Sequence, residues 1–129
     1  MSPSYLISII EHDDSLRFAM ASLLQSIGYR VTSYESACKF LNSGDIGRTN
    51  CIIVDVLPPG VDGIELKHHL DKLSSRSPVI IVTAHQGGEY PDRAFATRAF
   101  FRLEKPFEAE VLIDRINRVL AVQRALISS

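Results

Sequence analysis

Short apolar runs alternate with amphipathic stretches from one end of the chain to the other. Tyr5–Ile10 is the first compact hydrophobic run, a strand candidate that stops at Glu11. Behind it Leu16, Met20, Leu23, Leu24 and Ile27 recur at i, i+4, i+7, i+8 and i+11, which places them on one face of a helix. Asp13, Asp14 and Ser15 are all residue types able to cap its start, and Gly28 ends it. Val31–Tyr34 reads as a weaker strand and Ser36–Leu41 as a short helix capped by Ser36. Cys51-Ile52-Ile53-Val54 is a continuous, largely β-branched run, the pattern of a strand buried on both faces. After Pro58-Pro59-Gly60, the pair Asp62 and Glu65 predicts a helix start, and Leu66, Leu70 and Leu73 supply its apolar face. Pro78 opens a fourth strand, Val79–Thr83, and a short helix is expected around Pro91–Ala99. Phe100–Leu103 is the fifth strand, and Glu108 begins a long helix with Leu112, Ile116, Val119 and Leu120 on one face.

Strand followed by helix, five times over, predicts an α/β domain with a parallel sheet between two helical layers. Right-handed crossovers favour the flavodoxin-like (βα)5 three-layer sandwich with strand order 2-1-3-4-5. The pattern runs from about residue 5 to about 122 of 129, so residues 1–129 read as one domain. No internal repeat or linker interrupts it, and the expectation is a stand-alone module without a DNA-binding or catalytic output domain.

Composition narrows the classes. Nearly half of the residues are hydrophobic and fewer than a quarter are charged, as in a globular protein. A formal charge of −1 gives no electrostatic reason to expect nucleic acid as a direct partner. The apolar runs are far too short to span a bilayer, and Met1-Ser2-Pro3-Ser4 lacks the features of a signal peptide. The two cysteines, Cys38 and Cys51, are too few for a disulfide scaffold and are expected to be buried thiols. A cytoplasmic protein, with no membrane partner, is the expectation.

In folds of this kind ligands bind at the carboxyl ends of the strands. The first strand leads into Glu11-His12-Asp13-Asp14, the third into Asp55, the fourth into Thr83-Ala84 and the fifth into Glu104-Lys105-Pro106. A carboxylate nucleophile, a cation, a hydroxyl donor and further acidic oxygens for Mg²⁺ make up a set able to handle a phosphoryl group.

The order of acidic cluster, strand-end Asp, strand-end Thr and Lys-Pro-Phe resembles the receiver domain of two-component response regulators. The separations are 44 residues from Glu11 to Asp55, 28 from Asp55 to Thr83 and 22 from Thr83 to Lys105. They are similar to those of receivers that usually precede LuxR-type output domains. Asp13-Asp14-Ser15-Leu16-Arg17, Pro59-Gly60-Val61-Asp62-Gly63 and Glu104-Lys105-Pro106-Phe107 carry the same resemblance, which covers almost the whole chain. The resemblance implies that Asp55 accepts a phosphoryl group from a histidine kinase or a phosphotransfer protein. It implies that Thr83 and Lys105 bind the phosphoryl oxygens, and that Leu57 and Ala84 contribute backbone contacts to the phosphate. It assigns the Mg²⁺ positions to Glu11, His12, Asp55 and the Leu57 carbonyl. It makes Lys105–Pro106 a cis candidate, cis bonds being essentially a proline feature. Output would pass to a downstream protein, with homodimerisation available through the fourth helix, fifth strand and fifth helix.

Three positions depart from that pattern. The family places two adjacent acids after the first strand, and here they are Glu11 and His12. An imidazole nitrogen in place of a carboxylate oxygen suits Zn²⁺, Ni²⁺ or Cu²⁺ better than Mg²⁺, so the Mg²⁺ site is expected to be weakened. Asp13 and Asp14 are not expected to compensate, because a helix starting there directs them elsewhere. Pro58 stands where the family usually has Met and drives Leu57 toward extended geometry. Arg102 occupies the switch position that the family fills with Tyr or Phe.

Three functions are thus compared. The first is a phosphorylatable receiver that is not itself an enzyme. The second is a pseudo-receiver that keeps the fold as an interaction module but no longer takes phosphate, because His12 alters the metal site. The third is a small metal-dependent enzyme of flavodoxin-like fold, a phosphatase being one example, for which no general base beyond the receiver set is visible. The plainer readings are a buried strand-end acid for Asp55 and a drifted position for His12. A His12–Asp55–His85 site is a further arrangement. His68 and His69 read as surface residues, and Arg115, Arg118 and Arg124 as a solvated helix face.

Overall fold

The computed structural model describes residues 5–56, 77–83 and 100–128. Within them the chain forms β1 (Leu6–Ile10), α1 (Asp14–Ser26), β2 (Arg30–Tyr34), α2 (Ala37–Leu41) and β3 (Cys51–Val56). These are followed by β4 (Val79–Thr83), β5 (Phe100–Glu104) and α3 (Ala109–Ser128). The helices expected around 62–73 and 91–99 lie outside the described residues, as do Leu57, Pro58, His68, His69, Ala84 and His85.

The five strands form one parallel sheet in the order β2-β1-β3-β4-β5, as the alternation of strands and helices predicts. Alternation of side chains across the pleat builds two cores. Ile7, Ile9, Cys51, Ile53, Ile80 and Val82 join Met20 and Leu24 of α1 and Leu112, Ile116, Val119 and Leu120 of α3. Ile10, Ile52, Val54, Val79 and Ile81 face the other way, onto Ala37 and Phe40 of α2. The three central strands are buried on both faces, β3 and β4 through largely β-branched runs and β1 with the one polar residue Ser8 among its apolar ones. β2 pairs only with β1 and is half-exposed, which explains its weaker hydrophobic signature.

Sequence signals for helix ends hold up well. Asp13 is the N-cap of α1, its side chain accepting from the Leu16 N–H, and Ser36 caps α2 through the Lys39 N–H. Gly28 closes the α1–β2 turn at φ +105°, a backbone geometry that a Cβ disfavours although nothing would crowd that Cβ. Gly28→Ala is expected to cost about 1–2 kcal/mol of stability, read as a lowered urea midpoint with an unchanged slope.

Three expectations need correction. Cys38 is exposed, not buried, because on α2 it is Ala37 and Phe40 that turn into the core; only Cys51 is a buried thiol. Burial pushes the Cys51 thiol pKa up to about 12, which makes it chemically quiet. Ile27 does not share the buried face of its helix: it is the C-cap and 45% exposed, since the helical period stops at Ser26. Of the arginines on the last helix, Arg118 is exposed and pairs with Asp114 at 2.9 Å, as a solvated face implies. Arg115 is half-buried instead.

Hydroxyl packing at the amino-terminal end of the sheet carries no hydrophobic signature. Ser8 is wholly buried in β1, and its Oγ lies 3.0 Å from Thr32 Oγ1 and 2.8 Å from Thr49 Oγ1. Thr49 Oγ1 also donates to the Leu6 and Cys51 carbonyls at 3.3 and 3.2 Å, so the buried Ser8 hydroxyl is met on both sides.

Candidate functional site

The register of the sheet brings the acids together. Ile10 of β1 is paired with Val54 of β3, so the residues that follow, Glu11 and Asp55, emerge side by side at the carboxyl edge. Thr83 is paired with Val56 on one side and with Glu104 on the other, which sets Lys105 just beyond the same edge. Glu11 is held from both ends. Its N–H donates to the Tyr34 carbonyl at 3.0 Å, and its own carbonyl accepts from Arg17 Nη1 at 2.9 Å.

The side chains converge as two acids between two nitrogens. Lys105 Nζ stands 3.1 Å from Asp55 Oδ1 and 3.5 Å from Glu11 Oε2. His12 Nδ1 lies 2.9 Å from Asp55 Oδ2 and 3.5 Å from Glu11 Oε1. Each carboxyl thus turns one oxygen to the lysine and the other to the imidazole. Glu11 and Asp55 side chains are 0% and 3% exposed, against 22% for Lys105 and 53% for His12. Both Asp55 oxygens are buried with no aligned hydrogen bond among the described residues; Lys105 and His12 are close enough for ion pairing but not aligned on them.

Burial raises the Glu11 pKa above its ordinary 4.5, and the neighbouring Asp55 adds to the rise; the Asp13 N–H at 3.2 Å and Lys105 oppose it. The folded protein therefore holds the Glu11 proton more tightly than the unfolded chain. The stability this confers is complete below pH 4.5 and is lost as pH rises through the folded-state value. Asp13, Glu35 and Asp45 have lowered values, so their contributions are full above their ordinary 3.8 to 4.5 and are lost as pH falls from there through the lowered values. In metal-free buffer, Glu11→Gln is expected to gain denaturant resistance over the parent protein, by a margin that widens as pH rises above 4.5. A margin that is flat with pH would contradict this.

Of the residues singled out in the sequence, Glu11, His12, Asp55 and Lys105 meet at one place. The Lys105–Pro106 peptide bond is cis. Thr83 lies at the end of β4 and Arg102 within β5, but their side chains lie outside the described residues. Asp13 and Asp14 do not enter the cluster: Asp13 caps α1, and Asp14 accepts from Arg17 Nη2 at 2.6 Å. Arg17 was not expected here. It links the start of α1 to the Glu11 backbone, and its place in Asp13-Asp14-Ser15-Leu16-Arg17 was the only hint.

Glu11, His12 and Asp55 each offer a ligand atom, all within 4.8 Å of one another. Mg²⁺ selects oxygen donors in a near-octahedral shell, usually one or two carboxylates and waters. Glu11 and Asp55 meet that demand; the third donor is a nitrogen, and it does not. The set departs from what Mg²⁺ selects.

A parallel sheet of order 2-1-3-4-5 with buried acids and a lysine at its carboxyl edge has the architecture of a receiver-type module. The chain belongs to the response regulator receiver domain family, whose model matches residues 7–117. It is a module of the two-component response regulator type. It is 34% identical over 120 residues to the transcriptional regulatory protein FixJ of Azorhizobium caulinodans, covering 93% of this chain and 57% of that protein. With the transcriptional regulatory protein TdiR of Thauera aromatica it shares 31% over 121 residues, covering 93% and 53%. The chain thus spans about half the length of the curated relatives it matches. Among solved structures, response regulator StyR superposes with a TM-score of 0.85 at 29% identity, covering 98% of this chain and 64% of that one. The structure titled FixJ-N gives 0.77 at 27%, covering 93% and 96%. Mg²⁺ is the family's usual metal. No helix among the described residues is long and apolar enough to cross a membrane.

Proposed function

We propose that Asp55 is the phosphoacceptor of this receiver and that the protein passes its state on through protein contacts. The observation that carries this is the placement of a buried, unbonded carboxyl beside Lys105 at 3.1 Å. A carboxylate oxygen of Asp55 attacks the phosphorus of a phosphohistidine or acyl phosphate. The phosphorus–donor bond breaks, its electron pair leaves with the donor, and an aspartyl phosphate remains. Lys105 neutralises charge on the transferred oxygens. Thr83 is assigned the hydroxyl contact, and Leu57 and Ala84 the backbone contacts, on the family pattern. A divalent cation bound at Glu11 and Asp55 would supply further charge neutralisation. A histidine kinase or a phosphotransfer protein is the proposed source. The proposed readout is a downstream protein or a second copy of this chain, with Arg102 taking the place of the aromatic switch.

A second reading has one observation in its favour. His12 Nδ1 already sits 2.9 Å from Asp55 Oδ2, where an incoming group would need room. On that reading the protein is a pseudo-receiver that binds partners without taking phosphate.

Intact-mass spectrometry after incubation with acetyl phosphate separates the two. Parallel arms contain Mg²⁺, Zn²⁺ or a chelator. An Asp55-dependent gain of about 80 Da in any metal arm supports the phosphoacceptor. No gain in any arm, from protein shown to be folded, supports the pseudo-receiver.

A further inference from the structure

The mismatch with Mg²⁺ has a positive side. We propose that Glu11, His12 and Asp55 form a mixed nitrogen–oxygen site for a divalent transition ion of the Zn²⁺ class, in place of a Mg²⁺ site. This goes beyond the phosphoacceptor reading and does not depend on it, since an ion can occupy these residues whether or not Asp55 takes phosphate.

Three features of the geometry point the same way. First, Glu11 Oε1 and Asp55 Oδ2 both face a single ring nitrogen, at 3.5 and 2.9 Å. Donors bound to one Zn²⁺ at about 2.0–2.1 Å in tetrahedral array stand about 3.3 Å apart, so these spacings need little adjustment. Second, Lys105 has taken the opposite oxygen of each acid, Oε2 and Oδ1. One oxygen per carboxyl faces the His12 side, where Asp55 Oδ2 carries no aligned hydrogen bond and Glu11 Oε1 accepts the Asp13 N–H at 3.2 Å, which leaves it a further lone pair for a cation. Third, Asp55 is nine-tenths buried, yet neither of its oxygens carries an aligned hydrogen bond among the described residues. Lys105 meets this desolvated acid at Oδ1 only, and a second cation at Oδ2 would offset more of the cost of burying it.

The donor types decide which cation. Carboxylates and waters alone suit Mg²⁺; an imidazole added to two carboxylates suits Zn²⁺, Ni²⁺ or Cu²⁺. His12 is half-exposed, so its side of the cluster opens to solvent and a water can complete four-coordination. Lys105 offsets one of the two acidic charges, and the remaining one favours a dication.

The test uses the full chain, stripped of metal, in the absence of any phosphodonor. Isothermal titration with Zn²⁺ and separately with Mg²⁺ is run on the parent protein, His12→Ala and His12→Asp, each verified as folded by circular dichroism. One Zn²⁺ is expected per chain, with affinity reduced at least about 10–100-fold in His12→Ala, since losing even a group that only supports a ligand costs that much. His12→Asp is expected to bind Mg²⁺ at least 10-fold more tightly than the parent does. Co²⁺ is expected to give the parent the strong visible bands of a four-coordinate site, and to lose them in His12→Ala. Zn²⁺ affinity or Co²⁺ bands unchanged in His12→Ala would place the ion elsewhere and overturn the proposal. So would parent Mg²⁺ affinity equal to that of His12→Asp. An Asp55-dependent mass gain in Mg²⁺ with any of those results would overturn the metal assignment while leaving the phosphoacceptor standing.

Discussion

Asp55→Asn is expected to abolish the mass gain from acetyl phosphate in every metal arm while leaving the fold intact. The amide fills the same space at the end of β3 but offers no carboxylate to attack phosphorus. The other candidate acid is not expected to substitute, because its oxygens accept from the Asp13 N–H and from Lys105, whereas neither Asp55 oxygen carries an aligned hydrogen bond among the described residues. A second signature comes from the same variant. Burial is the larger cause of the raised Glu11 pKa and Asp55 the next, so the pH-dependent loss of stability should shrink in Asp55→Asn without vanishing. Equilibrium unfolding from pH 4.5 upward in metal-free buffer reads this directly. A persistent mass gain in the variant would move the phosphoacceptor to another residue.

Lys105→Met is expected to lower phosphoryl uptake at least about 100-fold and to destabilise the fold by about 1–3 kcal/mol at neutral pH. Methionine keeps much of the side chain's apolar stem and removes only the ammonium. Glu11 and Asp55 then face each other in a buried setting with Lys105's charge gone. The cost is set below the roughly 3–5 kcal/mol of a fully buried broken pair because the Lys105 side chain is 22% exposed and partly screened. Adding Glu11→Gln removes one of the two acids, so the double variant should recover most of the stability but not the phosphoryl uptake. Recovery of both would mean that Lys105 acts only through the fold. Denaturant titration and the timed mass gain separate the two effects.

Legibility differed between the fold and the site for a physical reason. Strand and helix periods are local properties of ten or so residues, and so are caps such as Asp13 and Ser36. Val79–Thr83 is recovered from the sequence with its stated bounds, and the strand order follows from the chirality of parallel crossovers. The buried faces of α1 and α3 are likewise legible, apart from Ile27, where the helical period had already ended. Cys38 was misjudged because a five-residue helix carries too little periodicity to say which way each side chain turns.

By itself, then, the sequence determined the α/β class, the two-faced burial of the central strands, and which acids and which lysine leave the strand ends. Those are consequences of local hydrophobic pattern and residue type. Only the tertiary structure decided how these groups face one another: which carboxyl oxygen meets Lys105, and that both remaining oxygens meet His12. It also decided that Arg17 steadies the Glu11 backbone and that Ser8 is buried among hydroxyls. Such contacts join residues as far apart as 94 positions, as Glu11 and Lys105 are. Their geometry depends on strand register and rotamer, which no local pattern encodes.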